Sequence, residues 1–183
     1  KSLNFIIKLL MGIKTIITEP NQILRQKSKP VDKVGQEEQQ LMDDMLETMY
    51  HANGIGLAAI QIGIPKRIIV LDISKNEEEK NPLYFVNPVV NNKNPENSTY
   101  EEGCLSVPNF FAEIDRPKKC DVEYLDYYGQ KQILKAEGLL ATCIQHEMDH
   151  LEGILFIDYL SKLKKTMIIK KLSKQKKSIE RIV

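Results

Sequence analysis

The 183-residue sequence has no tryptophan, three cysteines, and no apolar run approaching the roughly 20 residues that span a bilayer. The nearest candidate, Leu3 to Leu10, is broken by Asn4 and Lys8, so the expectation is a soluble protein with no membrane partner. Three cysteines, spread over Cys104, Cys120 and Cys143, do not make a disulfide framework and read as reduced thiols. Neither charge is in excess. With 26 Lys+Arg against 25 Asp+Glu the formal net charge is +1, which removes the whole-protein electrostatic case for a nucleic-acid binder. Nine glycines and eight prolines exclude a collagen-like or low-complexity chain, while 42% hydrophobic residues are too many for a disordered one. The length suits one packed domain. Met11 follows Lys1 with no small-residue cleavage site between them. Residues 1–10 are therefore read as an N-terminal extension, tag remnant or trimmed presequence, and residues 11–183 as a single domain.

Hydrophobic periodicity divides that domain. After an irregular entry punctuated by Pro20 and Pro30, Val34, Leu41, Met45, Leu46 and Met49 recur near helical spacing, with Asn53-Gly54 as a stop. Arg67 to Ile73 and Tyr84 to Asn87 read as strands separated by an acidic loop, Ser74 to Asn81. Asn91 to Thr99 reads as a second polar loop. Cys120, Val122 and Tyr124 alternate with charged residues, and Tyr128-Gly129 turns the chain into Lys131 to Lys135, a hairpin pattern. Glu137 to Glu152 reads as a second helix ended by Gly153, and a Lys-rich helix runs from about residue 161 to 183. Leu163, Met167, Ile168, Leu172 and Ile179 are expected to form its docked edge. Strands clustered as hairpins around one central helix predict an α+β fold with mostly antiparallel sheets.

Two of the three histidines fall in His146-Glu147-Met148-Asp149-His150. At roughly 100° per residue, a helix puts His146 and His150 about 40° apart, within reach of one ion, with Glu147 beside it. Leu139 and Cys143 project toward the same face and serve equally as core or as an apolar substrate wall; Leu140, Ile144 and Leu151 read as core. An open catalytic metal site needs a third protein ligand. His51 reads as a surface residue, and Cys104, in Glu102-Gly103-Cys104-Leu105-Ser106-Val107-Pro108, suits a soft ligand set, with Pro108 expected to end a strand. Spacing alone does not decide between Cys104 and Cys120. Gln61 stands in the apolar stretch Gly54 to Gly63, where a buried amide must find polar partners.

Taken in order, Gly54-Ile-Gly-Leu-Ala-Ala-Ile-Gln61, Glu102-Gly-Cys-Leu-Ser106 and Gln145-His-Glu-Met-Asp-His-Leu151 resemble the three motifs of the peptide deformylase family, bacterial type. The resemblance extends from about Met11 to the basic C-terminal helix. It implies Cys104, His146 and His150 as ligands of one divalent ion, with Fe2+ as the native metal and Zn2+, Ni2+ or Co2+ able to replace it. It implies Glu147 as general acid/base, with the Gln61 side chain and the Leu105 backbone N–H as oxyanion donors. Ile55, Tyr100, Leu139, Thr142 and Cys143 correspond to the methionine pocket, and Gly56 and Gly103 to the backbone that pairs with substrate. The implied activity is hydrolysis of the N-formyl group from the formyl-methionine of newly made proteins, releasing formate. The implied setting is a cytoplasmic monomer that docks on the ribosome through its basic C-terminal helix, or an organellar enzyme if residues 1–10 are a presequence remnant. Thr142 replaces a larger apolar residue of many bacterial members, and Phe110-Phe111 replaces a common Gln-Arg. The H-E-x-x-H alone is also compatible with a zincin-type peptidase, or with a non-catalytic module that holds metal structurally.

Overall fold

In the computed structural model, which describes residues 12–76 and 79–179, the first periodic segment forms α1, Gln36–His51. Leu41, Met42, Met45 and Met49 bury one face of it, and Glu37 and Glu38 stand in its first turn, where the helix dipole favours acids. Asn53 takes a positive φ of 54° just beyond the helix, and the Gly54 N–H returns to the Met49 carbonyl.

The antiparallel expectation holds. The strands β1 (Gly56–Ala58), β2 (Ile68–Leu71), β3 (Leu83–Asn91), β6 (Lys119–Leu125) and β7 (Lys131–Glu137) form one sheet in the order β1-β2-β3-β6-β7. A separate ribbon pairs β4 (Asn97–Cys104) with β5 (Val107–Pro117). The central helix α2, Leu139–Leu151, packs Ile144 and Leu151 against Ile69, Leu71 and Phe85 on one face of the sheet. On the other face Met42, Met45 and Met49 of α1 meet Ile68, Val70 and Val86. Because β2 is covered on both faces, its four residues are all buried and its sequence shows no alternation.

Four readings of the sequence are corrected by the structure. The segment Asn91 to Thr99 is a loop only at 92–96, since Asn91 closes β3 and Asn97 opens β4. Polar strand residues such as Thr99, whose hydroxyl donates to Asp115 at 2.6 Å, carry no apolar alternation to betray the strand. Pro108 does not end a strand; it is the second residue of β5, and the chain turns earlier, at Leu105-Ser106. Glu137 is the last residue of β7 and α2 begins only at Leu139, because Gly138 adopts φ 61°, ψ −133°, a conformation open to glycine and to few other residues.

The fourth difference lies in α3, Lys162–Ile179. Its buried edge is Ile168 and Leu172, packed on Val107, Ile114 and Phe156, whereas Leu163 and Met167 are 72% and 51% exposed. Met167 lies about 100° around the helix from Ile168 and so cannot share its contact line. The reading of residues 1–10, and the part of the C-terminal helix beyond 179, fall outside the described residues. Among the described residues no helix is long and apolar enough to cross a membrane.

Candidate active site

Two breaks in regular structure bring the chemical residues together. In the β4–β5 ribbon Gly103 faces Phe111, but Cys104 faces Val107, so Pro108, Asn109 and Phe110 loop out of the ladder, with Asn109 at φ 66°. This bulge swings Cys104 off the ribbon toward α2, where successive turns present His146 and His150 with ring centroids 5.1 Å apart. The Cys104 sulfur lies 3.3 Å from His150 Nε2. The ligand atoms of Cys104, His146 and His150 all lie within 4.8 Å of one another. A thiolate and two imidazoles are a donor set for a borderline divalent ion, and three protein ligands leave a fourth position for water or substrate. Cys120, the alternative on spacing, is buried on β6 in the main core, and His51 is exposed at the end of α1.

His146 is oriented from behind. Glu102 Oε2 lies 2.8 Å from its Nδ1, leaving Nε2 to face the metal position, and Arg116 of β5 donates to both oxygens of Glu102. Arg116 also reaches Asp149 at 2.8 Å, and the Tyr159 hydroxyl donates to the same Asp149 oxygen at 2.9 Å. Burial would raise the Glu102 carboxyl, but the hydrogen bonds from His146 and Arg116 outweigh it and hold the group below its usual range. Arg116 is held in its charged form despite burial by Glu102 and Asp149. Burial opposes charge on both histidines. Contact with Cys104 and Glu102 overcomes it for His146, which is raised, while His150 is lowered, the more so for facing His146.

Gln61 belongs to a 3-10 turn, Ala59–Ile62, that follows β1. It is 1% exposed and its amide is fixed at both ends: the Ala58 N–H donates to Oε1 at 2.8 Å, and Nε2 donates to Ser106 Oγ at 3.0 Å. The second Nε2 hydrogen remains on the side of Cys104, whose sulfur is 3.6 Å away. The polar partners demanded of a buried amide are thus present. Glu147 is buried with one carboxylate oxygen lacking any hydrogen-bond partner. Burial pushes its carboxyl up to about 7, with Glu102 adding to the rise and His146 opposing it. Burial likewise pushes the Cys143 thiol up to about 12.

These groups open on one cleft of about 510 Å³. Its walls include Gln61, Cys104, Leu105, His146 and Glu147, and also every residue assigned to substrate by resemblance: Ile55, Gly56, Tyr100, Gly103, Leu139, Thr142 and Cys143. His150 lies behind this wall, 1% exposed. Leu139 and Cys143 therefore face the cleft, whereas Ile144 and Leu151 are core as expected. Sequence reasoning missed Arg116, Asp149 and Ser106 as supports. The available signal was the acid of Glu102, a carboxylate next to a glycine-cysteine pair that has to be neutralised once buried.

Residues 13–166 match the family model described as "Polypeptide deformylase". The chain is 75% identical over 166 residues to a peptide deformylase of Pelagibacter ubique (strain HTCC1062), covering 91% of this chain and 96% of that protein. It is 56% identical over 168 residues to a peptide deformylase of Rhizobium meliloti (strain 1021), covering 92% and 97%. Among solved structures, the peptide deformylase of Ehrlichia chaffeensis in complex with actinonin superposes with a TM-score of 0.86 at 43% identity, covering 90% of this chain and 98% of that one.

Proposed function

The chain belongs to the peptide deformylase family and removes the N-formyl group from nascent peptides, and from that premise we propose how its own residues carry out the reaction. Cys104, His146 and His150 hold one divalent ion. When bound, the ion supplies a Lewis acid that lowers the pKa of water and polarises a carbonyl. Glu147, buried beside the ligands with one oxygen free, takes a proton from the attacking water as the water oxygen bonds to the formyl carbon. The developing oxyanion accepts hydrogen bonds from the Nε2 hydrogen that Gln61 directs at the Cys104 sulfur and from the Leu105 N–H, which follows Cys104 in the turn. Glu147 then passes its proton to the amide nitrogen as the carbon–nitrogen bond breaks, leaving formate and a free amine.

Substrate enters as an extended chain. The edge of β1 at Gly56 and the edge of β4 at Gly103 both line the cleft, and each strand is paired on its other side only, with β2 and β5 respectively. A peptide backbone pairs between them, and its methionine side chain lies among Ile55, Tyr100, Leu139, Thr142 and Cys143. Thr142 makes one wall of that pocket polar.

Fe2+ is the native ion by family resemblance, with Zn2+, Ni2+ or Co2+ able to occupy the same donor set. Residues 11–183 act as one catalytic domain, a cytoplasmic monomer by the same resemblance. Lys162, Lys164, Lys165, Lys170, Lys171, Lys174, Lys176 and Lys177 give α3 a basic outer face, which supports docking on the ribosome through RNA phosphates.

The observation that carries this reading is the buried Glu147, with a carboxylate oxygen that has no hydrogen-bond partner, in the same cleft as the Cys-His-His cluster. Protein purified without oxygen should contain close to one divalent ion per chain and release formate from formyl-Met-Ala-Ser. The Glu147→Ala variant should keep the ion and lose on the order of 100-fold or more in turnover. Near-normal turnover in a metal-replete variant would reject the assigned role.

A further inference from the structure

Gln61 and Ser106 come from different parts of the chain, the turn after β1 and the turn between β4 and β5, and their side chains meet at 3.0 Å. A third segment holds both main chains. The Ile17 N–H donates to the Gln61 carbonyl at 2.7 Å, and the Glu19 N–H donates to the Ser106 carbonyl at 2.9 Å. Residues 17–19 thus bridge, from behind the cleft, the same two residues whose side chains join inside it. The Ile17 Cδ1 also lies 3.3 Å from where a Cβ on Gly63 would stand, at the end of the turn that carries Gln61. Glu19 is itself clamped. It is buried, its Oε1 accepts from Arg25 Nη2 at 3.1 Å, and its Oε2 has no partner. Arg25 closes the 3-10 turn Gln22–Arg25, which Asn21 caps by accepting from the Ile23 N–H and which Leu24 anchors in the interior. Burying a carboxylate with one oxygen bare costs stability. What the arrangement secures is a single position for the Glu19 main chain.

We propose that the entry segment Ile17–Glu19, clamped by Arg25, is a positioning element for the oxyanion donor: it sets where the Gln61 and Ser106 main chains stand and hence the aim of Gln61 Nε2. The inference rests on the reading of Gln61 as that donor. One Nε2 hydrogen is committed to Ser106 Oγ, and the Ala58 N–H holds the other end of the same amide. The amide is planar, so a shift of Ser106 relative to Gln61 turns it as a unit and redirects the second hydrogen, the one directed at the Cys104 sulfur. Ile17, Glu19 and Arg25 do not line the cleft. They therefore act on the reaction through Gln61 and Ser106. A donor that meets its full charge only as the oxyanion develops contributes to the transition state and little to the bound substrate. Misaiming it lowers kcat and leaves KM and the metal alone.

A double-mutant cycle on the metal-loaded protein, with formyl-Met-Ala-Ser as substrate, is the test. Glu19→Ala opens the clamp and should lower kcat about ten-fold, with KM and metal content unchanged. Glu19→Gln, whose amide oxygen still accepts from Arg25, should recover most of that loss. Gln61→Ala should lose about 100-fold in kcat. Adding Glu19→Ala to Gln61→Ala should cost nothing more, because the group being positioned is gone. Losses that multiply in the double variant, a Glu19→Ala loss confined to KM or to metal content, or no loss at all, would overturn the positioning role. Should Glu19→Ala prove too unstable to assay, Ile17→Pro removes only the N–H that holds the Gln61 carbonyl and is judged by the same cycle. A Gln61→Ala variant with near-normal kcat would show instead that Gln61 is not the donor, and the positioning role falls with that reading.

Discussion

Gly56 is packed against Glu147 so tightly that a single added methyl group would collide with the Glu147 carboxylate; the same Cβ would also meet Leu71 Cδ2 at 2.8 Å. The glycine is thus fixed by the acid on the neighbouring helix and not by its own backbone angle. Gly56→Ala should displace the Glu147 carboxylate while leaving Cys104, His146 and His150 undisturbed. The expected outcome is a loss of about 100-fold in kcat/KM, comparable to misplacing a catalytic group by about an ångström, with metal content retained. Steady-state kinetics beside metal analysis checks it; a fully active alanine variant would mean that Glu147 relaxes freely.

The two candidate ligand cysteines should separate cleanly. Cys104→Ser exchanges a soft thiolate for a hydroxyl in the donor set and should lower metal occupancy after dialysis at least ten-fold. Cys120 is buried on β6, and burial raises its thiol. Cys120→Ser should keep its metal and lose about 1–3 kcal/mol of stability, the cost of burying a hydroxyl. Equal metal loss in both variants would remove Cys104 from the donor set.

The contrast between those cysteines also marks where the sequence is legible. Periodicity located α1 and the H-E-x-x-H helix because each buries one stripe on a helical period, and it located β2 by its apolar run. It did not delimit the β4–β5 ribbon, because exposed strand positions such as Glu101, Glu113 and Asp115 are as polar as loop residues. Yet the bulge in that ribbon is what delivers Cys104 to the histidines, so spacing could not choose between Cys104 and Cys120. Arg116 escaped for the same reason. A buried arginine is recognisable only once its strand and its two acidic partners are known. Gln61, in contrast, was visible as an amide among apolar residues, since burial obliges such a group to be paired.

Arg116 carries the next prediction. It neutralises Glu102, which orients His146, and it also ties Asp149 into the same network. Arg116→Met would leave the Glu102 carboxylate buried beside His146 without its cation. The expected cost is about 3–5 kcal/mol in unfolding free energy. Metal affinity should fall about 10- to 100-fold, as is usual when the support behind a ligating histidine is removed. Tyr159→Phe, which deletes only one hydrogen bond to Asp149, should cost about 1 kcal/mol. Denaturant unfolding and competition with a metal chelator measure the two effects separately. Equal losses in the two variants would show that the guanidinium does not support the ligand.

Asp158 links the entry segment to the C-terminal helix and should make that joint sensitive to acid. Arg25 donates to its Oδ2 at 2.6 Å, the Leu155 N–H to the same oxygen at 2.8 Å, and Lys165 Nζ lies 2.6 Å from Oδ1. Burial pushes the carboxyl up, but the Leu155 N–H and the two cations outweigh it and hold it below its usual value. A carboxyl with a depressed folded-state pKa contributes its full stability above its unfolded value of about 3.9, and loses that contribution as the pH falls from there through the folded value. Asp158→Asn should therefore be less stable than the unmodified protein at pH 7, by about 1–3 kcal/mol. The gap should narrow steadily below about pH 4 as the native carboxyl protonates. Urea unfolding of the two proteins between pH 7 and pH 3 tests the sign. A gap that stays constant over that range would mean that the charge on Asp158 contributes nothing to holding α3 against the entry segment.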